Sequence, residues 1–110
     1  MAADMTLRAY QRLAARTAYP GPEDHRLAVA ALSLAGESGE AVDIVKKWIG
    51  HGKPRDVRAL KLELGDALWS LMELASAAGL DVQDIAEAQL KKQHDRYPQG
   101  FVLHDTEGPA

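Results

Sequence analysis

Two long runs of apolar residues recur at helical spacing, and only a short Gly- and Pro-bearing break separates them. In the first run Leu27, Ala31, Leu34, Val42, Val45 and Ile49 share one face of a 3.6-residue wheel. In the second, Leu60, Leu64, Ala67, Leu68, Leu71, Leu74 and Ala75 form the stripe. Between them Gly50-His51-Gly52-Lys53-Pro54 stops one helix, and Asp56 is placed to cap the next. Two long amphipathic helices on so short a tether must turn back on each other. An antiparallel helical hairpin, and hence an all-α fold, is the predicted centre of the molecule.

Shorter helices flank this hairpin. Thr6 is a plausible N-cap for a helix that ends before Tyr19-Pro20-Gly21-Pro22. Asp24 is read as the cap of the first long helix. Gly79 has the character of a C′ residue, and Asp81 can cap a last helix. The expected helical spans are 6–17, 24–49, 57–78 and 82–96, with an irregular tail over 97–110 that carries Pro98, Gly100 and Pro109. Together they make a single-domain four-helix bundle. Its core is thin, because a chain of 110 residues buries only about two-thirds of the surface its unfolded form exposes. The wide apolar face of the second helix therefore predicts completion by a second copy of the chain.

Composition removes several classes. The chain has one Phe, two Trp and three Tyr beside abundant Ala and Leu, which favours helices over a sheet. A net charge of −3 gives no basic field for a polymeric nucleic acid. Without cysteine there is neither disulfide nor thiolate metal site, and a cytoplasmic setting is compatible. Met1 to Thr6 lacks the basic and apolar regions of a secretory signal. No apolar run approaches the roughly 20 residues of a membrane span, so no membrane partner is expected.

The chemistry is concentrated in acids. The second helix carries Glu37-Ser38-Gly39-Glu40 and the third Glu63-Leu64-Gly65-Asp66. Each is an i, i+3 pair, so both members lie on one helix face a turn apart. Both pairs border the apolar stripe. Packing the stripes together would bring four carboxylates toward one another. Like charges about 4 Å apart repel by about 4 kcal/mol at an effective dielectric of 20. An all-oxygen ligand set without Glu-x-x-His points to a hard ion, Mg²⁺ first and Mn²⁺ second. Single acid pairs at this spacing are common on solvated faces. The second pair and the helical glycines Gly36, Gly39 and Gly65, each directly before an acid, weigh against that here. Gly inside a helix costs about 1 kcal/mol relative to Ala, and the close approach of a neighbouring helix or a ligand is the expected reason for it.

Several further stretches complete an ordered set. Leu34-Ala35-Gly36-Glu37-Ser38-Gly39-Glu40, Lys46-Lys47-Trp48, Gly50-His51-Gly52, Glu63-Leu64-Gly65-Asp66 and Arg96-Tyr97-Pro98-Gln99-Gly100-Phe101 follow one another in this chain. In that order they resemble the MazG-like family of all-α nucleoside triphosphate pyrophosphohydrolases, whose motif is E-x-x-E, a variable gap, then E-x-x-D. The resemblance runs from about Tyr10-Gln11 to Phe101. It implies that Glu37, Glu40, Glu63 and Asp66 are Mg²⁺ ligands and the catalytic residues. It also implies that Lys92 and Arg96 approach the triphosphate, and that the protein is a homodimer or homotetramer. Cations at those two positions would equally suit the dipole of a helix C-terminus. Lys47, on the acid side of its helix, is expected either to pair with Glu40 or to reach a phosphate.

Base recognition is assigned to Tyr10, Gln11, Trp48, Ser70 and Gln89, with Trp69 and His51 as further stacking or hydrogen-bonding candidates; Trp48 and Trp69 suit the core or a subunit contact equally well. Family members often have Asn where Gln89 stands and Tyr where Ser70 stands, which opens the question of substrate preference. Glu73, two turns after Asp66 on the same face, either supports the acids from behind or is a solvated surface residue, and the solvated reading is preferred. His25, His51, His94 and His104 have no ligand-like mutual spacing.

The expected reaction is Mg²⁺-dependent hydrolysis of a (d)NTP to (d)NMP and pyrophosphate, in nucleotide-pool sanitation or dNTP control. No P-loop and no Ser–His–Asp or cysteine nucleophile competes with it. Two alternatives stand beside it. One is a related pyrophosphohydrolase acting on a metabolite such as phosphoribosyl-ATP. The other is a non-catalytic helical module whose acids bind a basic partner.

Overall fold

A computed structural model describes residues 4–100. Helix α1 (Leu7–Ala14) runs on into a single 3-10 turn (Ala15–Thr17), and α2 (Glu23–Gly50), α3 (Val57–Ala77) and α4 (Val82–Arg96) follow. There is no strand among the described residues, and the all-α architecture is the expected one.

The helix ends follow their local chemistry. Thr6 Oγ1 accepts from Ala9 N–H, Asp56 from Ala59 N–H and Asp81 from Gln83 N–H, each relieving a donor that the first turn leaves unpaired. Helix α2 departs from expectation. It begins at Glu23 behind Pro22, with Asp24 already in the first turn. Pro at this junction holds the extended backbone that precedes a helix, and the two acids suit the positive end of the dipole. At the end of α3, Gly79 takes φ +74°. Leu80 N–H then reaches the Ala75 carbonyl and Gly79 N–H that of Ser76, a Schellman closure. Expected positions 101–110, including Phe101, His104 and Pro109, lie outside the described residues.

Helices α2 and α3 form the antiparallel hairpin. A 2.8 Å contact between the hydroxyls of Ser33 and Ser70 ties them at mid-length. One face of the hairpin is covered by α1, where Ala14, Met72, Ala75 and Val82 make a small buried cluster with Leu7, Tyr10 and Trp69 packed against it. Helix α4 rests chiefly on α1, pinned by Arg8, whose guanidinium lies 2.7 Å from Asp81 and 3.4 Å from Asp84.

The apolar stripes do not meet as the sequence pattern predicts. Val42 and Ile49 are 66% and 75% exposed, and Leu64, Leu68 and Leu71 also face outward. The buried residues of α2 are Ala30 and Ala41. The reason is geometric. Two helices in contact share a narrow line, and small residues let them approach along it. Leu27, Leu34, Val45, Leu60 and Leu74 are half-buried, while the remaining large side chains are left on a face that no described element covers. Ala41, Val42, Val45, Leu60 and Leu64 line an open apolar groove of about 470 Å³ there.

A candidate divalent-cation site on the hairpin

Because α2 and α3 are antiparallel with Ser33 opposite Ser70, the turn carrying Glu37 and Glu40 lies beside the turn carrying Asp66 and Glu63. Oxygens of Glu37, Glu63 and Asp66 come within 4.8 Å of one another. Glu40 is not in that closest group. It borders the same site, lining an open cavity of about 400 Å³ with Gly36, Gly39, Asp43, Ile44 and Glu63.

Glu63 is the most constrained of the four. Its Oε2 is covered by protein and has no hydrogen-bond partner. Cover by the protein pushes its carboxyl above the ordinary range, and Glu40, Glu37 and Asp66 push the same way. An orphaned, covered acceptor among like charges is unfavourable without a cation. The donor set fits a hard one: every donor is a carboxylate oxygen, and those of Glu37, Glu63 and Asp66 are gathered to within a side-chain adjustment of the spacing that an octahedral ion with ligands at about 2.1 Å requires.

Gly36 and Gly39 line this cavity, and none of the helical glycines serves close helix packing. A Cβ at Gly36, Gly39 or Gly65 would meet nothing within 4 Å. The space beside them belongs to the cavity at Gly36 and Gly39, so an approaching helix of the same chain is not what selects them.

The other candidates divide sharply. Lys47 pairs with Asp43, one turn away at 2.9 Å, and not with Glu40. Lys47 in turn holds the Asp43 carboxyl below its ordinary range. Lys92 and Arg96 are exposed on α4, and neither forms an ion pair among the described residues; the Arg96 guanidinium lies 5.9 Å over the ring of Tyr97. Gln89 is exposed on the same helix and Trp48 is half-buried near the end of α2. His51, His25 and His94 are exposed, and none joins the acidic cluster.

Four of the expected nucleotide contacts are used within the fold. Gln11 donates from Nε2 to Ser76 Oγ and to the Leu80 carbonyl, and its Oε1 accepts from Val82 N–H. Its amide is fully occupied in fastening α1 to the α3–α4 turn. Tyr10 packs on the small core. Ser70 is 1% exposed and bonded to Ser33. It lies inside the seam and presents nothing to a ligand. Trp69 likewise donates from Nε1 to Thr17 Oγ1 and meets the Tyr19 ring edge-on at 5.3 Å.

Glu73 corrects the surface reading most plainly. It is 1% exposed. One oxygen accepts from Tyr19 N–H at 3.1 Å, and Oε1 has no partner. Asp43, which lines the same cavity, and Ser33, in the helix seam, are further residues of this region. Each had a signal: Asp43 stands four residues before Lys47, and Ser33 four before Glu37, mirroring Ser70 four after Asp66.

An all-helical hairpin thus gathers acids from both of its arms into a candidate cation site. Residues 27–101 match the MazG nucleotide pyrophosphohydrolase domain. The chain belongs to that family, within the all-α nucleoside triphosphate pyrophosphohydrolases. It is also similar to the Gene 37 protein of Mycobacterium phage L5, with 30% identity over 102 residues, covering 84% of this chain and 90% of the phage protein. No solved structure matches the chain. Among the described residues no helix is long and apolar enough to cross a membrane.

Proposed function

We propose that the protein is a Mg²⁺-dependent nucleoside triphosphate pyrophosphohydrolase that converts a (d)NTP to (d)NMP and pyrophosphate. The observation that carries this reading is the cluster of Glu37, Glu63 and Asp66 oxygens within 4.8 Å, with a covered and unpaired Glu63 oxygen among them. A surface cluster serving a basic partner would leave its oxygens hydrated. Membership of a pyrophosphohydrolase family supports the same chemistry.

Glu37, Glu40, Glu63 and Asp66 would hold the cation, with Mn²⁺ as a substitute. When bound, it supplies charge neutralisation on the triphosphate and a more acidic attacking water. The rest is done by the chain. One of the carboxylates takes the proton of that water as its oxygen attacks the α-phosphorus. The bond from the α-phosphorus to the α–β bridging oxygen breaks, and pyrophosphate leaves. Lys47, Lys92 and Arg96 are the cations assigned to the phosphates, since the triphosphate brings more negative charge than the metal cancels. Lys47 has to leave Asp43 to do so, a small cost for an exposed i, i+4 pair.

A second copy of the chain is the proposed occupant of the uncovered apolar face. The radius of gyration is 17.6 Å, against about 13 Å for a compact domain of 100 residues. The groove lined by Val42, Val45, Leu60 and Leu64 supports an isologous contact between hairpins.

The test is a panel of (d)NTPs and phosphoribosyl-ATP with Mg²⁺, read as pyrophosphate release, with Asp66→Asn as the blank. Turnover of one or more nucleoside triphosphates is expected. Asp66→Asn should lose at least about a hundredfold, because several kcal/mol of transition-state stabilisation depend on the metal, while its helical circular dichroism is kept. Turnover of phosphoribosyl-ATP alone would move the reading to that substrate. Silence across the panel, or wild-type rates in Asp66→Asn, would refute it.

A further inference from the structure

Ser33 and Ser70 stand at a telling place in the hairpin. Ser33 is four residues before Glu37 and Ser70 four after Asp66. Residues four apart share a helix face, so the two hydroxyls lie one turn along the seam from the acids that each helix contributes. They meet at 2.8 Å, and Ser70 is 1% exposed. This is a direct side-chain hydrogen bond between α2 and α3, adjacent to the layer where Glu37, Glu63 and Asp66 converge.

That layer has its own opposing force. Without a cation, the like charges gathered across the seam repel one another, and the covered Oε2 of Glu63 has no hydrogen-bond partner. The large apolar residues of the hairpin that resist separation elsewhere are turned outward at Val42, Leu64 and Leu68. We infer that the Ser33–Ser70 hydroxyl pair is a positioning element for the cation site, holding the two acid-bearing turns at ligand spacing before the ion arrives. The inference rests on the cation site proposed above. Its physical content is preorganisation: a site already closed binds an ion without first drawing two helices together against charge repulsion. The serines touch neither ion nor substrate. They act through Glu37 and Asp66.

The experiment is calorimetric titration of Mg²⁺ alone into the full chain at 25 °C, together with the melting temperature without metal. Wild type, Ser33→Ala, Ser70→Ala and the double variant are compared. Thr17→Val serves as control; it removes the acceptor of the Trp69 indole N–H and weakens the fold away from the seam. Loss of one hydroxyl should weaken Mg²⁺ binding about fivefold, the equivalent of about 1 kcal/mol for one hydrogen bond. The double variant should match the single ones, because either truncation already breaks the pair. Thr17→Val should stay within about twofold of wild type in Mg²⁺ affinity although its melting temperature falls. Should Ser70→Ala fold poorly, Ser33→Ala, at a half-buried position, carries the test. If both serine variants bind Mg²⁺ as wild type does, the pair is only a structural contact and the inference fails while the cation site stands. If wild type itself binds no Mg²⁺, the cation site falls and the inference with it.

Discussion

Replacing Gln11 with Ala separates two roles for this residue that sequence and structure assign differently. In the structure its amide makes three hydrogen bonds: 3.0 Å to Ser76 Oγ, 2.9 Å to the Leu80 carbonyl and 2.8 Å from Val82 N–H. A net hydrogen bond contributes about 1 kcal/mol. The bond to the Leu80 carbonyl is solvent-exposed, so water recovers much of it on truncation. Val82 is buried, and its N–H would lose its partner at the first position of α4, which adds to the loss. The better helix propensity of Ala returns a few tenths of a kcal/mol. The balance is a destabilisation of about 2–3 kcal/mol. For a domain of this size it lowers the melting temperature by about 10–20 °C. The assay is thermal unfolding at fixed protein and Mg²⁺ concentrations, since ligand and subunit binding both shift the midpoint. KM for the best nucleoside triphosphate is measured well below the transition and should remain within about threefold of wild type, because the Gln11 side chain is occupied on the α1 side of the hairpin. A variant that melts within a few degrees of wild type but has a much higher KM would refute this, and would return Gln11 to base recognition.

Metal-free stability should fall as pH rises above the ordinary carboxylate range. The folded chain holds the Glu63 carboxyl above its ordinary value. Between those two values it keeps a proton that the unfolded chain has lost, so the slope of stability with pH is negative there. Glu63→Gln should remove that part of the slope, raise the melting temperature of the metal-free protein at neutral pH, and abolish the gain from Mg²⁺; unfolding curves across pH with and without Mg²⁺ would contradict this if the variant followed wild type. Charge on the open apolar face should disrupt self-association. Val42→Asp with Leu64→Asp is expected to shift sedimentation toward the monomer and to lower the melting temperature, and a wild-type sedimentation profile would refute the assignment of this face to a second copy.

The sequence by itself determined the helices, their order and the identity of the acidic turns. These are local properties. A 3.6-residue period, the caps Thr6, Asp56 and Asp81, and the breaks at Gly50–Pro54 and Gly79 act over a few residues and could be read without knowing what lies opposite. The i, i+3 spacing of Glu37 with Glu40 and of Glu63 with Asp66 is of the same kind, as is the order of motifs by which the family resemblance was seen. Tertiary structure decided which side of each helix faces inward. A helical wheel shows that Val42, Leu64 and Leu68 share a stripe, but a stripe only finds its partner in space. Here the line of contact between α2 and α3 includes the small polar pair of Ser33 and Ser70, and part of the bulky stripe, at Val42, Ile49, Leu64 and Leu68, was left outside. The same cause hid the burial of Glu73 and the engagement of Gln11. Their bonds reach the Tyr19 backbone, Ser76 and the α3–α4 turn, groups 54 or more residues away along the chain. Contacts of such separation exist only once the hairpin has closed and α1 has docked against it.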